Sequence, residues 1–219
     1  VNNGHPGIFK HLPDTPDLQI INAGRNLGWE GGLKLGLERS KSKYVMFAND
    51  DIFIPRSSDL WLRNMMENFA VPDLGAVGPT SNVVMGPQQM MRQSPYAFLY
   101  SSFLIGFCML LKRSALDAAG GVDDSLSGGD DIDLSIRLRG AGYKLMVDRR
   151  VFVYHHGFVT GERVHGGPGK LGGWNSAEMT ERTNNGLIRK HGFKKWFECL
   201  YGIPGPAILA STVADSEGN

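Results

Sequence analysis

Apolar residues along this chain come in short blocks set between glycine-rich turns, and strand-like runs alternate with helical spacing. Residues 18–22 read as a short strand. Trp29, Leu33 and Leu37 then recur every four residues, which predicts a helix over about 29–39. The run 43–48 predicts a buried strand that delivers Asn49-Asp50-Asp51 to its carboxyl end. A helix over 59–69, with Asp59 as its cap and Leu60 and Met65 turned inward, leads to a strand over 74–78 ended by Pro79. Residues 80–98, with Met85, Met90 and Met91, read as a loop region. A strand over 103–112 and a short helix over 113–119 follow, stopped by Gly120-Gly121. The acidic run Asp130-Asp131-Ile132-Asp133 opens another helix, closed by Gly140 and Gly142. Strands are predicted over 143–147 and 151–154, the second reaching His155-His156-Gly157. Residues 161–173 are a glycine-rich loop, 179–191 a helix, and the chain after Pro204 is weakly structured.

Strands alternating with helices imply an α/β fold, in which ligands sit outside the carboxyl ends of strands. Asn49–Asp51 and His155 both fall at such ends. Composition narrows the classes. With 219 residues, 21% charged and a net charge of +1, the chain does not suit a nucleic-acid binder that works by neutralising phosphates. Two cysteines, Cys108 and Cys199, argue against a disulfide framework. The longest apolar run, 103–111, is broken by Gly106 and too short to span a bilayer. No signal peptide pattern is visible. The expected location is cytoplasmic, with peripheral attachment to a membrane as the alternative.

Four constellations carry candidate chemistry. Asn49 and Asp51 lie on one side of an extended backbone, and such oxygen ligands suit Mg²⁺ or Mn²⁺; a strand-ending turn explains the same residues. Asp130, Asp131 and Asp133 crowd like charge, which raises a carboxyl pKa and favours a general base. Helix N-terminal capping is the competing reading, and a calcium loop fails on spacing. His155 is a candidate metal ligand, whereas a zinc site lacks partners. The glycines from Gly28 to Gly36 imply a close neighbour, a nucleotide or a packed strand, with Arg25 and Lys34 available to a diphosphate.

Taken in order, these segments resemble the family 2 glycosyltransferases of the GT-A fold. Asn26-x-Gly28-Trp29-x-x-Gly32-x-x-x-Gly36 is similar to an Asn-x-Gly-Phe-x-x-Gly segment of that family, and Asn49-Asp50-Asp51 to its Asp-x-Asp metal motif. Gly106 to Arg113, Gly120-Gly121-Val122-Asp123-Asp124 and Asp130-Asp131-Ile132-Asp133-Leu134-x-x-Arg137 resemble its later segments, and Val153 to Gly157 its late histidine. The resemblance, to the rhamnosyltransferase-like branch, implies a three-layer α/β/α sandwich with a mostly parallel mixed sheet. It implies inverting transfer of a hexose or deoxyhexose from a nucleotide-diphosphate sugar to an acceptor hydroxyl, in cell-surface glycan or polysaccharide synthesis.

On that resemblance Asp131 is the catalytic base, and Asp51, His155 and Asn49 hold Mg²⁺ or Mn²⁺. Asn3, Arg25, Asn26, Gly28, Gly32, Lys34, Asn49 and Asp50 bind the donor nucleotide. The partners are the donor and a glycan or lipid-linked acceptor. Residues 1–219 form one domain, with a core over about 1–160 and a glycine-rich loop and helical region over 161–219. Val1-Asn2-Asn3-Gly4 resembles a segment that follows a first strand and helix in the family, so that strand is expected to be absent. A non-catalytic nucleotide- or carbohydrate-binding module is the alternative function.

Overall fold

The computed structural model describes residues 1–4, 15–56, 59–90, 95–126, 128–157, 177–202 and 205–206. Their elements run α1 (Gly28–Arg39), β1 (Tyr44–Ala48), β2 (Ile52–Phe53), α2 (Trp61–Glu67), β3 (Leu74–Thr80), β4 (Phe98–Ser101), β5 (Cys108–Lys112) and α3 (Arg113–Ala118). Then come α4 (Asp130–Gly140), β6 (Lys144–Phe152), β7 (Tyr154–His155), α5 (Ala177–His191), α6 (Phe193–Tyr201) and β8 (Gly205–Pro206). The central sheet has the order β1-β5-β3-β6-β4-β8, and β2 pairs with β7 in a separate ribbon.

Both faces of the sheet are apolar, and each is roofed by helices. In β5, Met109 and Leu111 join Phe47, Leu145 and Val147 beneath α1, α3 and α4. Their alternates Cys108 and Leu110 face Met65, Phe69 and Met146 on the α2 side. A strand buried on both faces reads as a continuous apolar run, which is why β5 was legible. This is the expected three-layer α/β arrangement. The sheet is mixed, but the expected preponderance of parallel pairs is a correction: among the described residues β3–β6 is the parallel pairing, and β1–β5, β3–β5, β4–β6 and β4–β8 are antiparallel.

Other expectations shift for local reasons. Residues 18–22 make no strand; Leu18 and Ile20 are exposed, and the segment meets residues 1–4 at the isolated Asn2–Asn22 bridge. Leu60 sits ahead of α2 and is exposed, whereas Met65 is fully buried as expected. β3 runs on through Pro79 to Thr80, with a register shift where proline cannot donate to the ladder. The two strands expected over 143–154 are one continuous β6 as far as Phe152, followed by the short β7. Asp148 interrupts the apolar pattern there, yet it is buried because Arg150 (2.8 Å) and Asn68 (2.7 Å) satisfy it. The predicted strand over 103–112 begins only at Cys108, and β4 lies ahead of it, overlapping the expected loop region 80–98 at Phe98 alone. The glycine-rich loop 161–173 and the chain after 206 lie outside the described residues.

α4 is fixed at its first turn by a buried carboxylate. Asp133 Oδ1 meets Lys190 Nζ and His191 Nε2, both at 2.7 Å, and Asp133 Oδ2 accepts from Arg137 Nε at 2.8 Å. Burial opposes its charge, but hydrogen bonds from Lys190, His191 and Arg137 outweigh burial and hold the carboxyl below its ordinary value. Removing one member of such a buried group strands the others without compensation. Asp133→Ala is therefore expected to destabilise the fold by about 3–5 kcal/mol in urea unfolding at neutral pH. A loss within error of zero would show that the clamp carries no stability.

Candidate active site

The segment between β4 and β5 has no strand partner for its backbone. Instead its N–H groups donate to side chains: Phe103 to Ser101 Oγ (3.3 Å), Leu104 to Ser135 Oγ (3.1 Å), Ile105 to Gln88 Oε1 (2.6 Å) and Gly106 to Asp131 Oδ2 (3.2 Å). The next residue returns to the sheet, with Asn49 N–H donating to Phe107 O at 2.9 Å. This turn brings the separate acidic segments of the sequence to one place. A Cβ at Gly106 would lie 2.6 Å from the Trp29 ring, so the indole lies flush against the turn. Trp29 Nε1 in turn donates to Asn49 Oδ1 at 3.1 Å, and the Phe107 ring stacks on His155 at 5.1 Å.

Asp131 stands at the start of α4, preceded by Gly129 in the left-handed region (φ 77°). Its Oδ1 accepts from the Ile132 N–H at 2.8 Å and its Oδ2 from Gly106. Burial pushes its pKa up, against those backbone hydrogen bonds. Asp130 is raised to about 6 by burial and by the charge of Asp131. Glu30, which the sequence reading did not single out, is raised to about 7 by burial and by Asp130, with which it shares a hydrogen bond. That shared bond and the burial of both groups favour a proton held between the two carboxyls. The sequence signal for Glu30 was faint: an acid beside Trp29 in a glycine-rich helix, with no partner nearby in the chain.

Asp51 and His155 come together across the β2–β7 ribbon, where Ile52 pairs with His155. His155 Nε2 lies 3.2 Å from Asp51 Oδ1. The other ring nitrogen, Nδ1, is 2.9 Å from Val83 O, and a carbonyl only accepts, so Nδ1 carries the hydrogen. In the neutral ring the Nε2 lone pair therefore faces a carboxylate oxygen, and that oxygen, Asp51 Oδ1, is buried with no hydrogen-bond partner. Two facing lone pairs of this kind, one nitrogen and one oxygen, fit a divalent cation such as Mn²⁺ or Mg²⁺. Asn82 clasps the His155 backbone through both of its amide atoms, a support without a sequence signal. Asn49, the third expected ligand, gives its oxygen to Trp29. Among the described residues no group of three His, Cys, Asp or Glu side chains could hold a metal. Water and substrate phosphates would complete the shell, as is usual for these ions.

The residues expected to hold the donor are distributed differently. Asn3 Nδ2 donates to Gly28 O (2.7 Å) and Asn26 Oδ1 (3.1 Å), and Asn3 Oδ1 accepts from the Leu27 N–H (2.7 Å). Asn3 and Asn26 thus lock the turn into α1. Gly32 packs under Asn3 and Gly36 under Val1, so residues 1–4 are the close neighbour that these glycines implied. Gly28 has φ +76°, and a Cβ there would lie 3.5 Å from Glu30 Oε2. Lys34 pairs with Asp124 at 2.7 Å, while Arg25 and Asp50 are exposed.

Residues 6–120 match the family described as Glycosyl transferase family 2, and the chain belongs to that family. Uncharacterized proteins of Mycobacterium bovis and Mycobacterium tuberculosis are each 28% identical over 204 residues, covering 85% of this chain and 75% of theirs. A pre-mycofactocin glycosyltransferase of Mycobacterium tuberculosis is 25% identical over 157 residues, 64% of this chain and 32% of that protein. Among solved structures, a mannosyltransferase from Pyrobaculum calidifontis in complex with GDP-Man and Mn²⁺ aligns with a TM-score of 0.49 and 14% identity, covering 91% of this chain and 61% of that one.

Two outcomes test this geometry. Gly106→Ala forces the Trp29 ring off the turn, and is expected to lower kcat/KM for sugar transfer by about 100-fold while the protein stays folded. Wild-type kinetics in that variant would remove Gly106 from the site. Asp130 and Glu30 have folded pKa values above their ordinary 3.8 and 4.5, so their protonated forms stabilise the fold at low pH. That contribution is lost as pH rises through about 6 and 7. Asp130→Asn should accordingly melt higher than the wild type at about pH 8, with the gap closing toward about pH 4. A lower Tm for the variant at alkaline pH would contradict the assignment.

Proposed function

We propose that this member of glycosyl transferase family 2 catalyses inverting transfer of a sugar from a nucleoside-diphosphate donor to an acceptor hydroxyl. The observation that carries the reading is the Gly106–Phe107 turn, which links Asp131 to Asn49 through Trp29 and to Asp51 through His155. Asp131 acts as the base. Its raised pKa suits it to take the acceptor proton, and the Gly106 and Ile132 amides hold its carboxyl in one orientation. Inversion needs one base and no covalent nucleophile, and Asp131 is given the base role by analogy with inverting hydrolases.

Asp51 and His155 would hold a divalent ion, which when bound supplies Lewis-acid neutralisation of the leaving diphosphate. Trp29 and Asn49 fix the edge of the donor cleft, and Arg25 and Asp50, both exposed, are free to meet the nucleotide. Hexosyl or deoxyhexosyl specificity, the rhamnosyltransferase-like branch and a role in cell-surface polysaccharide synthesis belong to this proposal.

The test pairs binding with turnover. Calorimetry against UDP, GDP and dTDP with Mn²⁺ or Mg²⁺ should give metal-dependent binding to at least one of them. Asp131→Asn should keep that binding and lose about 10²–10⁴-fold in transfer. In the wild type, kcat/KM should rise with pH along a limb lying above the ordinary carboxylate range. Equal loss of binding and transfer in a folded Asp131→Asn protein would remove Asp131 from the base role.

A further inference from the structure

α6 carries a face that nothing covers among the described residues. Phe193, Phe197 and Tyr201 follow at four-residue spacing and are 61%, 48% and 62% exposed. Their rings form a continuous stripe, with centroids 5.8 Å apart between Phe193 and Phe197 and 5.0 Å between Phe197 and Tyr201. The opposite face already fixes the helix: Cys199 is buried, and Trp196 and Leu200 pack into a cluster with Phe103, Ile132 and Leu187. The stripe is therefore not needed to hold α6 in place. Exposed cations lie near it, Arg189 in α5 and Lys194 and Lys195 in α6, with Lys194 Nζ 3.9 Å from Glu198, the one acid in α6, whereas Lys190 is taken up by Asp123 and Asp133. The Lys194 side chain is 87% exposed.

An exposed aromatic stripe beside lysines matches the chemistry of an anionic bilayer surface. Aromatic rings settle at the boundary between headgroups and acyl chains, and lysine stems lie along them with the ammonium groups reaching lipid phosphates. A second copy of the chain fits less well, because a symmetric contact on this face would set the same cations against each other.

We propose that α6 is an interfacial helix that docks the protein on an anionic lipid bilayer through Phe193, Phe197 and Tyr201, with Lys194 and Lys195 on the headgroups. The consequence for substrate rests on the reading of Asp131 as the base. Ile132, its neighbour, shares a cluster with Trp196 and Leu200. A bilayer beneath α6 thus lies one helix away from the base, which assigns the acceptor hydroxyl to a lipid-carried molecule.

Vesicle flotation of the full chain tests this directly. The protein should float with vesicles containing about a third phosphatidylglycerol but not with phosphatidylcholine alone, and about 0.5 M NaCl should reduce the bound fraction. F193S/F197S/Y201S and K194E/K195E should each weaken partitioning about tenfold or more. Their circular dichroism and nucleotide binding should match the wild type. A wild type that stays with the soluble fraction in anionic vesicles overturns the proposal. So do two folded variants that float as well as the wild type, or a dimer that dissociates in the aromatic variant while no vesicle binds. Flotation needs no turnover: a protein that floats yet transfers no sugar would sink the transferase reading and leave the membrane face standing.

Discussion

The N–H groups of Phe103, Leu104, Ile105 and Gly106 donate in turn to Ser101, Ser135, Gln88 and Asp131. A buried amide left without a partner costs about 1–3 kcal/mol, so this turn cannot form unless those side chains are in place. Three of them come from other elements: Asp131 and Ser135 from α4, and Gln88 from the short helix at Gly86–Gln88. The constraint therefore works in both directions. The turn orients Asp131, and Asp131 in turn supplies the acceptor that lets the backbone leave the sheet at Gly106. The absence of a side chain at Gly106 then admits Trp29, and through Trp29 the position of Asp131 is coupled to Asn49.

Charge is divided along α4 by the same packing. Asp131 and Asp133 sit two residues apart on one helix and titrate in opposite directions. Burial dominates at Asp131, where the neighbours are backbone amides and other carboxyls. At Asp133 burial is overcome by Lys190, His191 and Arg137. A helical turn rotates successive side chains by about 100°, which is enough to point one carboxylate at the Gly106 turn and the other at the last turn of α5. The cations that secure the helix are thus kept off Asp131. A base next to Lys190 would be ionised but too weak to accept a proton.

Periodicity made the main elements legible. α1, β1, β5, α3 and α4 lie where alternating or four-residue apolar spacing put them, because each has a face or two faces in the core. It misled where polar side chains, not apolar ones, decide the backbone. Residues 103–107 are as apolar as a strand, yet side-chain oxygens claim their amides. Asp148 and Arg150 look like a break in a strand, yet they neutralise each other inside a continuous one. Within the site, Asp131, Asp51 and His155 were visible because acids and histidines at strand or helix ends are rare enough to notice. Glu30, Gln88, Asn82 and Gly106 were not, since each matters only through a contact more than fifteen residues away along the chain.

Trp29 makes the two halves of the site a single mechanical unit. Its ring edge rests on Gly106, its N–H holds Asn49, and its face meets Phe47 edge-on at 6.0 Å in the core beneath. Phe47 is 2% exposed and immovable without opening the sheet, so the indole has little freedom to tilt. A displacement at the Gly106 turn that Asp131 holds is then passed to Asn49, and one at Asn49 is passed back to the turn. Residues joined in this way do not contribute independent increments of free energy. Asp131 and Asn49 are far apart in sequence, but a rigid ring leaves them one geometry to share.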